Sequence, residues 1–351
     1  MSKKTSLFVI PVVIVALLIG VVAFSELPSD TSHDSIMPDA VTLEVYFLDV
    51  GQADCVLLKT GNHSMLIDAG NVGQDKLVLN YLTEYGVNSL DYLVATHPHA
   101  DHIGSMASVV KAMDSIGMVI MPDKTHTTKS FENLIKAIEE KDVPVTIPKP
   151  EDVFTLGEAT VQVLAPNSAT YSDLNDYSVV LRVEFGATVF LFTGDAEAKS
   201  EGEQLLNGLP LQADVLKVGH HGSRTSSSQK YLDAVSPIYA VISCGTGNDY
   251  GHPHKESMSR LTAMGVVIYR TDENGTILFV SDGENISITT EHGSGPTPTI
   301  VEPLLYIGNK NSKTFHLQSC SSLPQEQNRV YFNSRQEAID AGYNACSTCK
   351  P

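Results

Sequence analysis

Three histidines and one aspartate fall within six positions of the stretch Thr96–Ser105, which reads THPHADHIGS. The whole chain holds only 12 histidines in 351 residues, so this stretch concentrates them. His97 and His99 alternate around a proline, and Asp101 and His102 follow where the next helix is expected to begin. Imidazole and carboxylate groups are good ligands for Zn²⁺, Mn²⁺ and Fe²⁺. The pattern therefore predicts a metal site, and two such pairs on one loop could serve two adjacent ions.

Other groups that can ligate a metal also follow apolar runs typical of buried strands. These groups are found in LIDAG (66–70), TGD (193–195) and KVGHHGS (217–223). Helical spacing is found at 75–86 and near 130–140, 196–206 and 254–264, and a helix is predicted from Ile103 to Met113. Strands and helices mixed in this way indicate a layered α+β or α/β domain whose strand ends collect the polar side chains.

The HxHxDH pattern after a strand resembles the signature of the metallo-β-lactamase superfamily of hydrolases, and the later motifs follow in the order expected for it. The stretches FLDVGQADC (47–55), HHGS (220–223), YGHP (250–253) and RTDENGTI (270–277) are similar to the extracellular hydrolase domain of ComEC-type DNA-uptake proteins. This resemblance covers residues 41–289. It implies an α+β fold, a four-layer αββα sandwich with the site at one edge between the sheets.

The resemblance also implies roles for individual residues. It makes Asp195 the bridging ligand and Asp68 a support of the metal loop that does not itself bind. It implies metal binding by the following side chains: His97, His99, Asp101, His102, Asp195, His220 and His221. Catalytic roles are expected for Asp101, Asp195 and His252. The sequence leaves open which of His220, His221 and His252 is the late ligand.

The first metal position departs from the pattern of many two-metal members, because no histidine lies shortly before Asp195. The corresponding region reads SDLNDYS and holds Asp173, Asn175 and Asp176. The first position is therefore either under-ligated or uses an oxygen ligand, which would favour Mn²⁺. We expect one or two Zn or Mn ions in the hydrolase site.

The C-terminal segment holds a second ligand set: His316, Cys320, Cys346 and Cys349. A Cys₃His set suits structural Zn²⁺, and a domain of this size needs such support; the alternative is one disulfide with a spare thiol. The segment resembles the zinc-binding domain of Ada-type DNA-repair proteins, with a histidine at the first cysteine position. That resemblance implies contact with a DNA backbone, for which the candidates are Lys310, Lys313, Arg329 and Arg335.

Composition also indicates an N-terminal hydrophobic segment and two linkers. Residues 1–24 contain an uncharged run of 18 residues (7–24), about 27 Å long as a helix, preceded by two lysines. They are predicted to be a signal anchor, or alternatively a cleaved signal peptide, and either places the chain outside the cytoplasm, anchored at the cell surface or secreted. Residues 25–40 and 290–302 are predicted linkers, and 303–351 form the zinc domain. The net charge is −18; the last segment carries +2, and the remainder −20.

The sequence therefore favours an extracytoplasmic, metal-dependent phosphodiesterase or nuclease that acts on DNA through an activated water. Its partners would be DNA, a membrane and a DNA-uptake machinery. Two alternatives stay open: a hydrolase of another phosphoester or amide, which the acidic main domain favours, and a non-catalytic DNA-binding component of uptake, which the C-terminal module permits.

Overall fold

The computed structural model describes residues 41–293, 306–317, 320–332 and 335–349. The predicted signal segment (1–24), the first linker (25–40) and most of the second linker (294–302) lie outside the described residues. Within the described ranges, no helix has both the length and the apolar character needed to cross a bilayer. The division of the chain at 40/41 and 289/290 stays a prediction.

The elements alternate between short strands and helices along the chain. The strands of residues 41–293 are β1 (Leu43–Phe47), β2 (Val56–Thr60), β3 (His63–Ile67), β4 (Ser89–Val94), β5 (Ser115–Ile120), β6 (Val145–Thr146), β7 (Val153–Leu156), β8 (Ala159–Ala165), β9 (Val180–Phe185), β10 (Thr188–Phe192), β11 (Val215–Lys217), β12 (Tyr239–Ile242), β13 (Val267–Arg270), β14 (Ile277–Ser281) and β15 (Ile286–Thr290). The helices are α1 (Asp75–Glu84), α2 (Ala100–Ile103), α3 (Met106–Ala112), α4 (Lys129–Lys141), α5 (Ala198–Asn207), α6 (Gln229–Val235), α7 (Lys255–Ala263) and α8 (Thr271–Asn274).

These strands form two mixed sheets. The first has the order β15-β14-β1-β2-β3-β4-β5-β6 and the second has the order β13-β12-β11-β10-β9-β8-β7. In each sheet one part is antiparallel, and the rest, β3 to β6 in the first and β10 to β13 in the second, is parallel. Parallel neighbours end at the same edge, so the loops that follow β3, β4, β10 and β11 can meet there.

The apolar faces of the two sheets pack on each other. Alternate residues of β1, such as Val45 and Phe47, join Phe190 and Phe192 of β10 in one buried cluster. The other face of the first sheet packs on α1, α3 and α4, and the other face of the second packs on α5, α6 and α7. This alternation produces the four layers, helix–sheet–sheet–helix, and confirms the predicted fold class.

The helix predicted from Ile103 to Met113 is wrong at its start, because two helices occupy that stretch. α2 ends at Ile103 and α3 begins at Met106. Gly104 lies between them with its α-carbon against the backbone of Asn71 and Val72, where a Cβ would lie 2.2 to 2.3 Å from backbone atoms. This close approach fixes the metal loop against the loop that follows β3.

The C-terminal segment has its own small sheet. Its strands are β16 (Tyr306–Asn309), β17 (Thr314–His316), β18 (Arg329–Phe332) and β19 (Asn344–Ala345), in the order β18-β16-β17-β19, with helix α9 (Arg335–Asp340) before the last strand. Its apolar core is limited to a few side chains: Tyr306, Phe315, Phe332, Ala338 and Tyr343. A core of this size normally needs a bound metal or other cross-link to stabilise the fold.

Replacing Gly104 with alanine is expected to lower the free energy of unfolding of the full-length chain by at least about 2 kcal/mol, because the new methyl group overlaps fixed backbone. The matched control is Gly202→Ala within α5, where a Cβ meets no atom within 4 Å. Alanine there should stabilise the chain by about 0.5–1 kcal/mol. Urea unfolding measures both; equal midpoints for the two variants would contradict the packing described.

Candidate metal centre

The candidate site lies at the shared edge where parallel strands of both sheets end. Asp68 follows β3, and the THPHADH loop follows β4 in the first sheet. Asp195 follows β10, and the paired histidines His220 and His221 follow β11 in the second sheet. The packing of the two sheets therefore brings together side chains that are more than a hundred residues apart.

Asp195 lies at the centre of this arrangement and is buried. Its Oδ2 atom faces the Nε2 atoms of four histidines, at 3.2 Å for His102, 3.7 Å for His221, 3.8 Å for His220 and 3.9 Å for His97. The backbone N–H of Asp195 donates to the Ser178 hydroxyl at 3.0 Å, which fixes the loop that carries the carboxylate. One carboxylate oxygen thus faces imidazoles from both sheets, as a bridging ligand would.

Four side chains form a compact ligand group: Asp101, His102, Asp195 and His221, whose ligand atoms all lie within 4.8 Å of one another. The Nε2 atoms of His102 and His221 and the Oδ1 atom of Asp195 are buried without a hydrogen-bond partner. Buried polar atoms in proteins are normally paired, so these converging unpaired atoms need a ligand. A divalent cation satisfies two imidazoles and two carboxylates together, and the residues present therefore fit a metal.

The Nε2 atoms of His97 and His220 also face the Asp195 carboxylate. His97 is buried, and its Nε2 atom lies 2.9 Å from Nδ1 of His99. His220 contributes its Nε2 atom from the second sheet, while its Nδ1 atom pairs with Glu197 Oε1 at 2.8 Å. A carboxylate behind a histidine fixes the ring and leaves the opposite nitrogen free for a metal.

The oxygen ligand that the sequence suggested for the first metal position, from residues 173–176, stays a prediction. Asp176 accepts hydrogen bonds from the backbone N–H groups of Glu197 and Ser200 at the start of α5. Asp173 accepts from the backbone of Asn175, and the Asn175 amide lies behind His220, 3.3 Å from its Nδ1 atom. The Asn175 Oδ1 atom is buried without a hydrogen-bond partner, so this region still offers an oxygen beside the His220 ring.

Asp68 supports the metal loop from behind, as the resemblance implied. Its Oδ2 atom lies 2.7 Å from His102 Nδ1 and accepts the Thr96 hydroxyl at 2.7 Å, and its Oδ1 atom accepts the Thr96 backbone N–H at 2.9 Å. Its backbone adopts φ of 58°, in the left-handed region, which turns the side chain toward the loop. The His102 ring is therefore oriented before any ion binds.

Asp54 and Lys217 are functional residues that the sequence analysis missed. Both are buried, the Lys217 ammonium forms an ion pair with Asp54 Oδ2, and Asp54 Oδ1 lies 3.3 Å from His221 Nδ1. Burial alone would raise the pKa of Asp54, but the Lys217 charge together with His221 and His102 outweighs it and lowers that pKa to about 2. The available signal was a lysine within the otherwise apolar strand β11, since a fully buried lysine needs a partner.

His252 lies one ring further out than the metal-facing histidines. Its ring centroid is 5.3 Å from that of His220 and 6.2 Å from that of His221, and its Nδ1 atom lies 3.3 Å from the Gln52 amide. Burial lowers the pKa of His252 to about 4, so the ring is neutral at physiological pH. This position suits contact with a substrate better than metal binding.

The C-terminal ligand set comes together as well. The ligand atoms of His316, Cys320, Cys346 and Cys349 lie within 4.8 Å of one another, and His316 Nδ1 is 3.4 Å from Cys320 Sγ. These three cysteines are free thiols in the structure. Hydrogen bonding from the Cys349 backbone lowers the pKa of the Cys346 thiol to about 7, which favours the thiolate that zinc binds.

The candidate DNA-contacting residues of the C-terminal segment differ in exposure and in the groups they contact. Lys310 and Lys313 are exposed, and the Lys313 ammonium lies 4.5 Å from the centroid of the Tyr343 ring. Arg329 is half-buried and donates from Nε to the Pro324 carbonyl at 2.9 Å. The side chain of Arg335 lies outside the described residues. Their role in DNA binding stays a prediction.

Comparison with known families gives two matches. Residues 48–246 match the metallo-beta-lactamase superfamily, and residues 300–351 match the metal binding domain of Ada. The first match covers more than half of the chain and includes the histidines and aspartates around Asp195, whereas His252 lies beyond its end.

Three curated relatives of the main domain carry names that refer to the ComE operon, to competence and to recombination. The chain is 31% identical to ComE operon protein 3 of Bacillus subtilis over 67% of this chain and 33% of that protein. It is 34% identical to competence protein ComA of Neisseria gonorrhoeae over 70% and 34%, and 30% identical to recombination protein 2 of Haemophilus influenzae over 67% and 28%. The match thus spans about a third of the length of these relatives.

Solved structures similar to the chain include the metallo-beta-lactamase fold protein YhfI from Bacillus subtilis. That likeness has a TM-score of 0.47 at 14% identity and covers 71% of this chain and 100% of that chain. The diiron beta-hydroxylase CmlA from Streptomyces venezuelae has a TM-score of 0.44 at 16% identity, over 66% and 53% of the two chains.

Replacing Lys217 with methionine is expected to lower the free energy of unfolding by about 3–5 kcal/mol, because it leaves the Asp54 charge buried without its cation. The double variant Asp54→Asn/Lys217→Met should recover part of that loss, and urea unfolding in EDTA measures both. The control is Lys136→Met, which removes an exposed pair with Glu140 and should change stability by less than about 0.5 kcal/mol. A double variant no more stable than Lys217→Met would contradict the pairing.

The two ligand groups are expected to load independently. Asp195→Asn should lose the ions of the main domain and keep about one zinc per chain, whereas Cys349→Ala should lose that zinc alone. Elemental analysis of the purified full-length chain measures both stoichiometries. His63→Ala removes an exposed histidine that pairs with Asp91 and should lose neither metal. Unchanged metal content in Asp195→Asn would refute the bridging role.

Proposed function

The chain belongs to the metallo-beta-lactamase superfamily of metal-dependent hydrolases, and from that membership we propose that it is a phosphodiesterase that cleaves DNA outside the cytoplasm. One observation carries the proposal: buried, unpartnered ligand atoms of His102, His221 and Asp195 converge with Asp101 on one point. A hydrolase that works through an activated water needs no nucleophilic side chain, and this site is built around ligands instead.

When bound, divalent ions lower the pKa of water and offset negative charge on phosphate oxygens. The residues of the chain do the remaining work. Asp101 and Asp195 are placed to accept the proton of the attacking water as its oxygen bonds to phosphorus. The P–O bond to the leaving alcohol then breaks, and the proton passes to that oxygen. His252, neutral and one ring outward, can donate a hydrogen bond to a phosphate oxygen or to the leaving group.

The choice of DNA as substrate is supported by two comparisons. The names of the curated relatives refer to competence and recombination, and the C-terminal segment matches the metal binding domain of Ada. We propose that this segment holds one structural zinc and contacts a DNA backbone. Because the main domain is strongly acidic, phosphate would be held locally by the metal centre rather than by the general field of the protein.

Location and partners follow from the same proposal. Residues 1–24 would anchor the chain to the membrane or direct its export, and a role in DNA uptake would place it beside an uptake machinery. A second candidate function is hydrolysis of another phosphoester or an amide, which the net charge of −18 favours because it disfavours non-specific attraction to nucleic acid.

The full-length chain is expected to cleave plasmid or single-stranded DNA with Mn²⁺ or Zn²⁺ and to lose this activity in EDTA. Asp101→Ala should lower kcat/KM by more than about a hundredfold, since it removes both a ligand and the proposed proton acceptor. Asp114→Ala, which changes an exposed aspartate on the surface, should leave kcat/KM unchanged.

Other outcomes of the same assay separate the alternatives. Cleavage of bis(p-nitrophenyl) phosphate or a chromogenic amide without cleavage of DNA would favour the second candidate. Binding of DNA without hydrolysis of any substrate, whatever the metal, would overturn the catalytic proposal and favour a DNA-binding component.

A further inference from the structure

Tyr250 is an exposed aromatic residue at the rim of the metal centre. It lies on the loop between β12 and α7, and 67% of its surface is exposed. Its ring stacks on that of His252, with centroids 5.7 Å apart and planes inclined by 22°. One face of the tyrosine is thus covered by a histidine of the site.

The rings form a row that leads inward. His252 meets His220 edge to face at a centroid distance of 5.3 Å, and His220 Nε2 lies 3.8 Å from the central Asp195 carboxylate. Tyr250 is the outer end of this row, two ring spacings from the nearest histidine that faces Asp195. A base stacked on Tyr250 is thus close enough to be part of the same strand as a phosphodiester at the metal centre.

The loop that carries Tyr250 is held by internal hydrogen bonds. The Asn248 side chain donates to the carbonyls of Gly245 and His252, at 2.9 Å and 2.6 Å, and accepts the His252 backbone N–H at 3.0 Å. The Gln52 side chain accepts the Gly245 backbone N–H at 3.0 Å and contacts the His252 ring. The tyrosine is presented by a braced loop, which lowers the entropy lost when a ligand stacks on it.

We propose that Tyr250 is a stacking platform for a nucleobase of a single-stranded nucleic acid whose phosphodiester lies at the metal centre. This proposal rests on the proposed phosphodiesterase function. Every base offers a π-face, so such a platform binds without regard to sequence. Bases within a duplex are already covered by their neighbours, and the platform therefore selects single strands and frayed ends.

Stacking also suits the charge of this domain. The part of the chain outside residues 303–351 carries −20, so attraction to a phosphate backbone cannot supply most of the affinity. Contact between an aromatic ring and a base does not depend on net charge. An uncharged platform beside a local cation site thus gives an acidic protein a means of holding a polyanion.

The test compares the full-length chain with Tyr250→Ala and Tyr250→Phe in the presence of Mn²⁺. The ligand is a tetranucleotide of single-stranded DNA labelled with 2-aminopurine, with phosphorothioate linkages that resist cleavage. Tyr250→Ala should raise Kd by roughly five- to a hundredfold, the range for loss of one base stack. Tyr250→Phe keeps the ring and should stay within about twofold of the parent. Leu206→Ala, an exposed apolar side chain on α5, is the matched control and should not change Kd.

A tetranucleotide of abasic sites identifies the contact, because without bases the Tyr250→Ala loss should vanish. Equal affinity of the parent chain and Tyr250→Ala for the labelled strand would overturn the proposal, as would an equal loss on the abasic strand or no binding by the parent chain. Hydrolysis is measured separately with Mn²⁺. A parent chain that binds through Tyr250 but cleaves nothing would refute the proposed function and leave the platform standing.

Discussion

The contact between the Asp195 carboxylate and histidines of both sheets is the constraint on which the rest of this structure depends. His97 and His102 come from the first sheet, and His220 and His221 come from the second. The carboxylate can contact all four histidines only if the two sheets pack with the ends of their parallel strands next to each other. The apolar cluster between the sheets is therefore as much a part of the site as the ligands are.

Bringing these groups together in a buried place requires compensation. Asp54, Asp68 and Asp195 are nearly free of solvent contact, and the desolvation of a carboxylate is unfavourable by several kcal/mol. Lys217 offsets one of these charges directly through its pair with Asp54. The imidazoles of His102 and His221 lie against the remaining carboxylates, and the divalent cations that the ligand set fits would offset their charge further. Folding and metal binding are thus expected to be thermodynamically linked.

The local sequence was sufficient to predict those parts of the site whose residues lie close together in the chain. The THPHADH loop, the HHGS pair and the CxxC pair each indicate their chemistry over a few positions, and strand periodicity placed the first two at strand ends. The Asp54–Lys217 pair and the Glu197–His220 pair were not predictable in this way, because sheet packing and the start of α5 create them. The break at Gly104 was missed for the same reason, since its cause is the backbone of Asn71 and Val72.

The charge of the chain, which at first argues against nucleic acid, is consistent with the site once the range of each interaction is considered. The surface charge of the protein acts on a DNA backbone through the solvent, where salt screens it with a Debye length of about 8 Å at physiological ionic strength. A metal centre and an aromatic ring act at contact distance, inside that length. An acidic surface would then suppress non-specific association with nucleic acid while leaving close contacts intact. Binding would depend on the metal centre and on base stacking, which is available only on unpaired strands.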